Sequence, residues 1–136
     1  MGNEKQQSEK ELCPAWKEAI RSADILLLQR EIDDEVNAVA AEFAQECGVK
    51  VILDLAGSSA PVSPALLRAC NIVSPARTEL SRLLKQGTTA EPGEAELLVQ
   101  EVMREYPNLD VLLKHGPAGT SFFERDEDYM DNCMNA

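Results

Sequence analysis

Three short apolar runs, Ile25–Leu28, Val49–Leu53 and Asn71–Val73, are each followed by residues able to do chemistry. Gln29 and Glu31 trail the first, Asp54 and Gly57 the second, and Ser74 to Glu79 the third. Carboxylates suit hard, hydrated cations, and glycine lets backbone approach a ligand closely. Other chemistries lack their parts. His115 is the only histidine and has no Ser or Cys partner in a recognisable motif, which speaks against a nucleophilic triad and for a solvent-exposed turn histidine. Cys13, Cys47, Cys70 and Cys133 lie far apart, with no CxxC and no Cys/His pair at metal spacing, so zinc is not indicated. Neither GxxxxGK[ST] nor GxGxxG occurs, leaving P-loop and Rossmann readings unsupported.

The elements that must position these residues follow from the spacing. Each apolar run is too short for a helix and is bounded by polar or turn residues, the pattern of strands buried on both faces. Helical patterns separate them. Strand, helix, strand, helix, strand predicts a mostly parallel sheet with crossover helices on both faces, an α/β three-layer architecture. Ligands of such sheets bind at the carboxyl edge of the strands, where these polar residues fall.

Along the chain, residues 1–12 are polar and aperiodic and are expected to be disordered. Pro14 to Ser22 suits a short helix with Trp16, Ala19 and Ile20 on its sheet-facing side. Asp33 or Asp34 can cap the next helix, which runs to about Cys47 with Gly48 as its terminator. Ser63 caps a helix starting at Pro64, and Ser74 one starting at Pro75, with Leu80, Leu83 and Leu84 inward. Thr88–Gly93 reads as a linker. Glu94 to Tyr106 is a helix burying Leu97, Leu98 and Val102. Asp110–Leu113 and Thr120–Phe123 are strands around an HGPAG turn, paired as an antiparallel hairpin. Residues 126–136 form an acidic tail, leaving 13–125 as one α/β domain.

The net charge of −11 speaks against nucleic acid and against anionic membranes. No run of about 18 apolar residues suggests a membrane span, and the polar N-terminus lacks a secretory signal. Scattered, unpaired cysteines fit a reducing, cytoplasmic setting.

The order of the elements resembles the ribokinase-like (PfkB) carbohydrate kinase family. ADILLLQREI resembles the ribokinase strand ending in Gln-x-Glu. GVKVILDLAG resembles the strand ending in Asn-Pro or Asp-Pro, and NIVSPARTEL the strand and turn carrying Asn-x-x-Glu. VLLKHGPAGTSFF resembles the strand-turn-strand with Thr-x-Gly-x-x-Gly. The four stand in the family's order and span roughly residues 14–125, close to the middle third of such a kinase, a partial domain. The family's Gly-Gly sugar motif and its Gly-Ala-Gly-Asp segment, whose Asp is the general base, are not in these 136 residues.

The resemblance implies ATP-dependent phosphoryl transfer to a sugar hydroxyl with Mg²⁺, but no catalytic residue within this stretch. It carries a metal role, through water, to Glu79, whose alternative is a first-turn acid favoured by the helix dipole. The family's Asn stands as Ala76, which removes a polar contact to phosphate. Gly116 and Gly119 match the nucleotide-binding glycines, with plain hairpin geometry as the alternative. Lys114 stands where the family has Thr and could meet a phosphate as a point charge. Gln29 and Glu31 are expected to be structural. The implied partners are a nucleotide and a sugar, together with a homo-oligomer or docking on a full-length kinase. The rival reading is a non-catalytic nucleotide-binding or interaction module derived from such a kinase.

Overall fold

The computed structural model describes residues 12–84 and 94–124. The expectations for the N-terminal segment before Leu12, the 88–93 linker and the acidic tail lie outside them. Helix α1 spans Pro14–Arg21, strand β1 Ile25–Leu28, helix α2 Asp34–Glu46, strand β2 Lys50–Asp54, helix α3 Pro64–Ala69 and strand β3 Ile72–Ser74. A 3₁₀ helix at Arg77–Leu83 follows, then helix α4 at Ala95–Glu105, strand β4 at Asp110–Lys114, a 3₁₀ turn at Gly116–Ala118 and strand β5 at Thr120–Phe123. Among the described residues no helix is long and apolar enough to cross a membrane.

The five strands form one sheet in the order β1-β2-β3-β4-β5. The first four pair in parallel and β5 returns antiparallel to β4. Each parallel strand therefore pairs with the one before it in the chain. Right-handed crossovers, which parallel connections almost always take, then lay successive helices on the same face.

Burial agrees. Paired residues project from the same face, and the register aligns Leu28, Leu53, Val73 and Val111. With Val51 and Leu113 they are buried against Ala41 and Ala44 of α2, Leu66 and Leu67 of α3, Leu80 and Leu83 of the 3₁₀ helix, and Val99, Val102 and Met103 of α4. Each such Leu or Val adds about 1.5–3 kcal/mol over an exposed position. The opposite face carries Ile25, Leu27, Ile52, Ile72, Leu112 and Phe122, of which Leu27 is 72% exposed and Ile25 and Phe122 each 49%. So β1 is not buried on both faces as its ILLL run suggests: among the described residues it is an edge strand with Ile25 and Leu27 exposed.

Three local expectations are also corrected. Trp16 and Ala19 are exposed, and only Ile20 of that trio packs inward. Leu97 is exposed while Val99 and Met103 take the buried stripe of α4 with Leu98 and Val102. Ser74 closes β3 instead of capping a helix; the following turn is 3₁₀ and starts after Ala76. Pro75 cannot donate a backbone hydrogen bond, and Lys114 instead uses its carbonyl as a strand neighbour would, delaying the helix by two residues. Gly48, at φ +75°, ends α2 as expected.

Candidate functional site

The residues flagged by sequence gather at the carboxyl edge of β2, β3 and β4. Beyond β3 the chain stays extended: Ala76 forms a parallel bridge with Lys114, and the Lys114 N–H donates to the Pro75 carbonyl at 2.9 Å. The Ala76 N–H donates to Glu79 Oε1 at 2.7 Å, and Glu79 N–H returns a bond to the Ala76 carbonyl at 2.9 Å. Glu79 thus lies one hydrogen bond from the backbone that Lys114 pairs with. Its other oxygen, Oε2, is 3.5 Å from the Arg82 guanidinium.

Lys114 reaches across β3. Its Nζ lies 3.2 Å from Asp54 Oδ2 and 3.3 Å from Oδ1. Both side chains are a third to a half exposed, so the pair is worth no more than about 1 kcal/mol and either partner is free to exchange for another ion. Asp54 also accepts the Ala56 N–H at 2.8 Å, an Asx turn that starts the loop after β2.

The turn after Lys114 is closed by its own backbone. His115 N–H donates to the Gly119 carbonyl at 2.7 Å and Gly119 N–H to the Gly116 carbonyl at 3.1 Å. Gly116 and Gly119 have φ of +63° and +100°, and a Cβ at either would meet open space. The backbone angle, not crowding, asks for glycine, and the exposed turn leaves its outer side open. His115, expected in solvent, is half-buried, with Nε2 at 2.8 Å from Ser121 Oγ on β5. Gln29 and Glu31 are exposed.

The sequence reading passed over Arg30, between them. Its guanidinium is 2% exposed and forks onto Asp34, with Nε to Oδ1 and Nη2 to Oδ2 both at 3.1 Å. It also donates to the Ala60 carbonyl at 2.6 Å and the Pro61 carbonyl at 3.2 Å. Asp34 accepts the Ser63 N–H at 3.2 Å. Asp33, at the N-cap position, makes no side-chain cap, and Asp34 spends its carboxylate on Arg30 instead. On the far side of the same loop, Arg82 donates to the Ser58 carbonyl at 3.3 Å and its carbonyl accepts Val62 N–H at 2.8 Å. Two arginines therefore hold the 56–63 loop at the rim, and Arg82 also faces Glu79. The i, i+4 spacing of Arg30 and Asp34 at a predicted helix start was the legible signal.

No group of three or more His, Cys, Asp or Glu side chains is placed to hold a metal among the described residues. The rim offers single carboxylates, which suits a cation that keeps most of its waters and takes its remaining ligands from phosphates. A depression of about 210 Å³ lined by Leu67, Arg68, Tyr106 and Asn108 lies at the amino end of the strands, away from this rim. It is below the ~300 Å³ of ordinary ligand pockets.

Comparison with known proteins decides the family. The model of the pfkB family carbohydrate kinases matches residues 2–133. The chain belongs to the pfkB carbohydrate kinase family. It is 38% identical over 113 residues to ribokinase of Arabidopsis thaliana, covering 81% of this chain and 28% of that protein. The structure of Arabidopsis thaliana ribokinase with ribose and ATP superposes with a TM-score of 0.75 at 34% identity, over 85% of this chain and 36% of that one. Ribokinase from Giardia lamblia shares the fold, with a TM-score of 0.68 at 17% identity over 89% of this chain. The chain thus spans about a third of the relatives it matches. The fold class is the three-layer, mostly parallel α/β type, represented here by a partial domain; the described residues supply the sheet and the helical layer on its Leu53 face.

Proposed function

We propose that this chain binds the phosphates of ATP at the carboxyl rim of its sheet, as the nucleotide-side third of a sugar kinase, and that it transfers no phosphoryl group by itself. One observation carries the reading. Ala76 ladders to Lys114, Glu79 seats its carboxylate on the Ala76 N–H, and the Gly116–Gly119 turn follows directly, so a cation, an acid and an open glycine turn share one edge. Phosphoryl transfer asks for a metal bridging phosphates, donors for the developing charge and a base at the acceptor hydroxyl. The rim fits the first two. An arriving phosphate competes with Asp54 for Lys114, an exchange the exposed pair allows. Glu79 is the residue that would hold a Mg²⁺ ion, which would supply charge neutralisation to the phosphates, with one carboxylate oxygen staying on the Ala76 N–H. No Gly-Ala-Gly-Asp base and no Gly-Gly sugar motif occur in the 136 residues, and this supports the reading that these residues by themselves do not phosphorylate ribose.

Calorimetric titration with Mg-ATP tests this. Saturable binding is expected, weakened at least about tenfold, or ~1.4 kcal/mol, by Glu79→Gln and by Lys114→Met. The glutamine keeps an acceptor for Ala76, so the turn survives. A chain that ignores millimolar Mg-ATP, or one that turns over ribose and ATP, overturns the reading. A second reading has its own observation: both Glu79 oxygens are engaged, by Ala76 and Arg82, as in a purely structural cap. On that reading the chain is an interaction module, and Glu79→Gln changes nothing but stability.

A further inference from the structure

We infer, resting on the rim reading above, that Asp54 is a built-in competitor of the nucleotide: a fixed carboxylate that draws Lys114 back from the phosphate rim and so restrains the affinity of the site.

The register shows the displacement. Asp54 is paired with Ser74 of β3, whereas Lys114 is level with Ala76, two residues nearer the carboxyl edge. Strands rise ~3.3 Å per residue, so the partner of the lysine sits about 6–7 Å behind the lysine's own level, on the far side of β3. Glu79 seats its carboxylate on the Ala76 N–H, at the level of the Lys114 backbone, and the Gly116–Ala118 turn follows beyond. Contacts of 3.2 and 3.3 Å to the Asp54 oxygens therefore hold the ammonium away from the acid and the glycines with which it would meet a phosphate.

The two partners differ in freedom. Asp54 Oδ1 also accepts the Ala56 N–H at 2.8 Å, and the Ala56 carbonyl accepts the Arg30 N–H at 3.1 Å. Arg30 and Arg82 then fix the loop beyond, at the Ala60, Pro61 and Ser58 carbonyls. The carboxylate is tied in place. Lys114 Nζ makes no other hydrogen bond among the described residues, and its four-carbon stem is flexible. Its side chain is 33% exposed and that of Asp54 47%, so their separation opens no part of the core. When a phosphate takes the ammonium, Lys114 moves and Asp54 stays behind. An exposed pair of this kind restrains its lysine by no more than about fivefold in an equilibrium constant.

Calorimetric titration with Mg-ATP of the full 136-residue chain, Asp54→Asn, Lys114→Met and the double variant tests this. Asparagine keeps an acceptor for the Ala56 N–H, so the turn and the melting temperature should be retained. Asp54→Asn should tighten binding about two- to fivefold when Lys114 is present and leave it unchanged in the Lys114→Met background. Asp54→Ser, which also supplies an acceptor to Ala56, should give the same gain and serves if the asparagine variant does not fold. Unchanged or weaker binding in the Asp54 variants overturns the inference and leaves the rim reading standing. An equal gain with and without Lys114 does the same, because Asp54 would then act on the nucleotide directly and not through the lysine. Failure of the chain and of every Asp54 variant to bind millimolar Mg-ATP overturns the rim reading and the inference together.

Discussion

Arg30 is the residue on which most converges. Its buried fork ties the start of α2 to the loop after β2, through Asp34 and two carbonyls more than 25 residues away in sequence. Removing one partner of a buried pair costs about 3–5 kcal/mol, because the other is left uncompensated. Asp34 keeps some exposure, which points to the lower end. Arg30→Met should lower the urea midpoint by an amount equivalent to about 3 kcal/mol with the slope unchanged. A loss under about 1 kcal/mol would show that water replaces the clamp. Asn37, fully buried, donates to the Gln29 carbonyl at 2.8 Å, but its Oδ1 has no hydrogen-bond partner among the described residues.

Cys70 supplies the pH dependence. Burial, and secondarily the charge of Asp34, pushes its thiol from 9.0 up to about 12. The unfolded thiol ionises first, so above pH 9 the unfolded state binds fewer protons and stability falls. The contribution is intact below 9 and drains away up to about 12, at ~1.4 kcal/mol per pH unit. Alkaline denaturation of Cys70→Ala should lack that part of the slope. The thiol of exposed Cys13 should react with a disulfide reagent in the native state while Cys70 waits for unfolding. Equal rates would contradict the burial.

At the scale of elements, the 56–63 loop behaves as a fixed part of the rim, not a free connection. Arg30 N–H also donates to the Ala56 carbonyl at 3.1 Å, bringing Gly57 against the β1–α2 turn. Gly57 has φ +106°, and a Cβ there would stand 2.9 Å from the Arg30 carbonyl carbon and the Glu31 backbone nitrogen. Backbone on one side and an unfavourable angle on the other leave no cheap relief. Gly57→Ala should therefore destabilise by at least about 1–3 kcal/mol, read as a lower melting temperature. The same change at Gly119, where a Cβ meets nothing, carries the angular cost alone. An equal loss at both positions would show that the contact is immaterial.

For the molecule as a whole, spacing revealed much. Runs of three to five apolar residues between 3.6-periodic segments marked four of the five strands, and the turn glycines marked the fifth. The rim was legible because strand ends share one edge in any parallel sheet. What spacing did not show was which face each strand leaves open. Ile25–Leu28 looks the same at an edge as at the centre, and only strand order decides. Of the Arg30 clamp only the Asp34 half was legible, from the i, i+4 spacing; its other acceptors are the Ala60 and Pro61 carbonyls, and main-chain atoms carry no sequence signature.

Strand order in this sheet repeats chain order, from β1 through β5. Among the described strands, each one after β1 therefore pairs with the one just before it, and none of these pairings waits on a distant segment. Loop closure is shortest for such a topology, which favours rapid assembly.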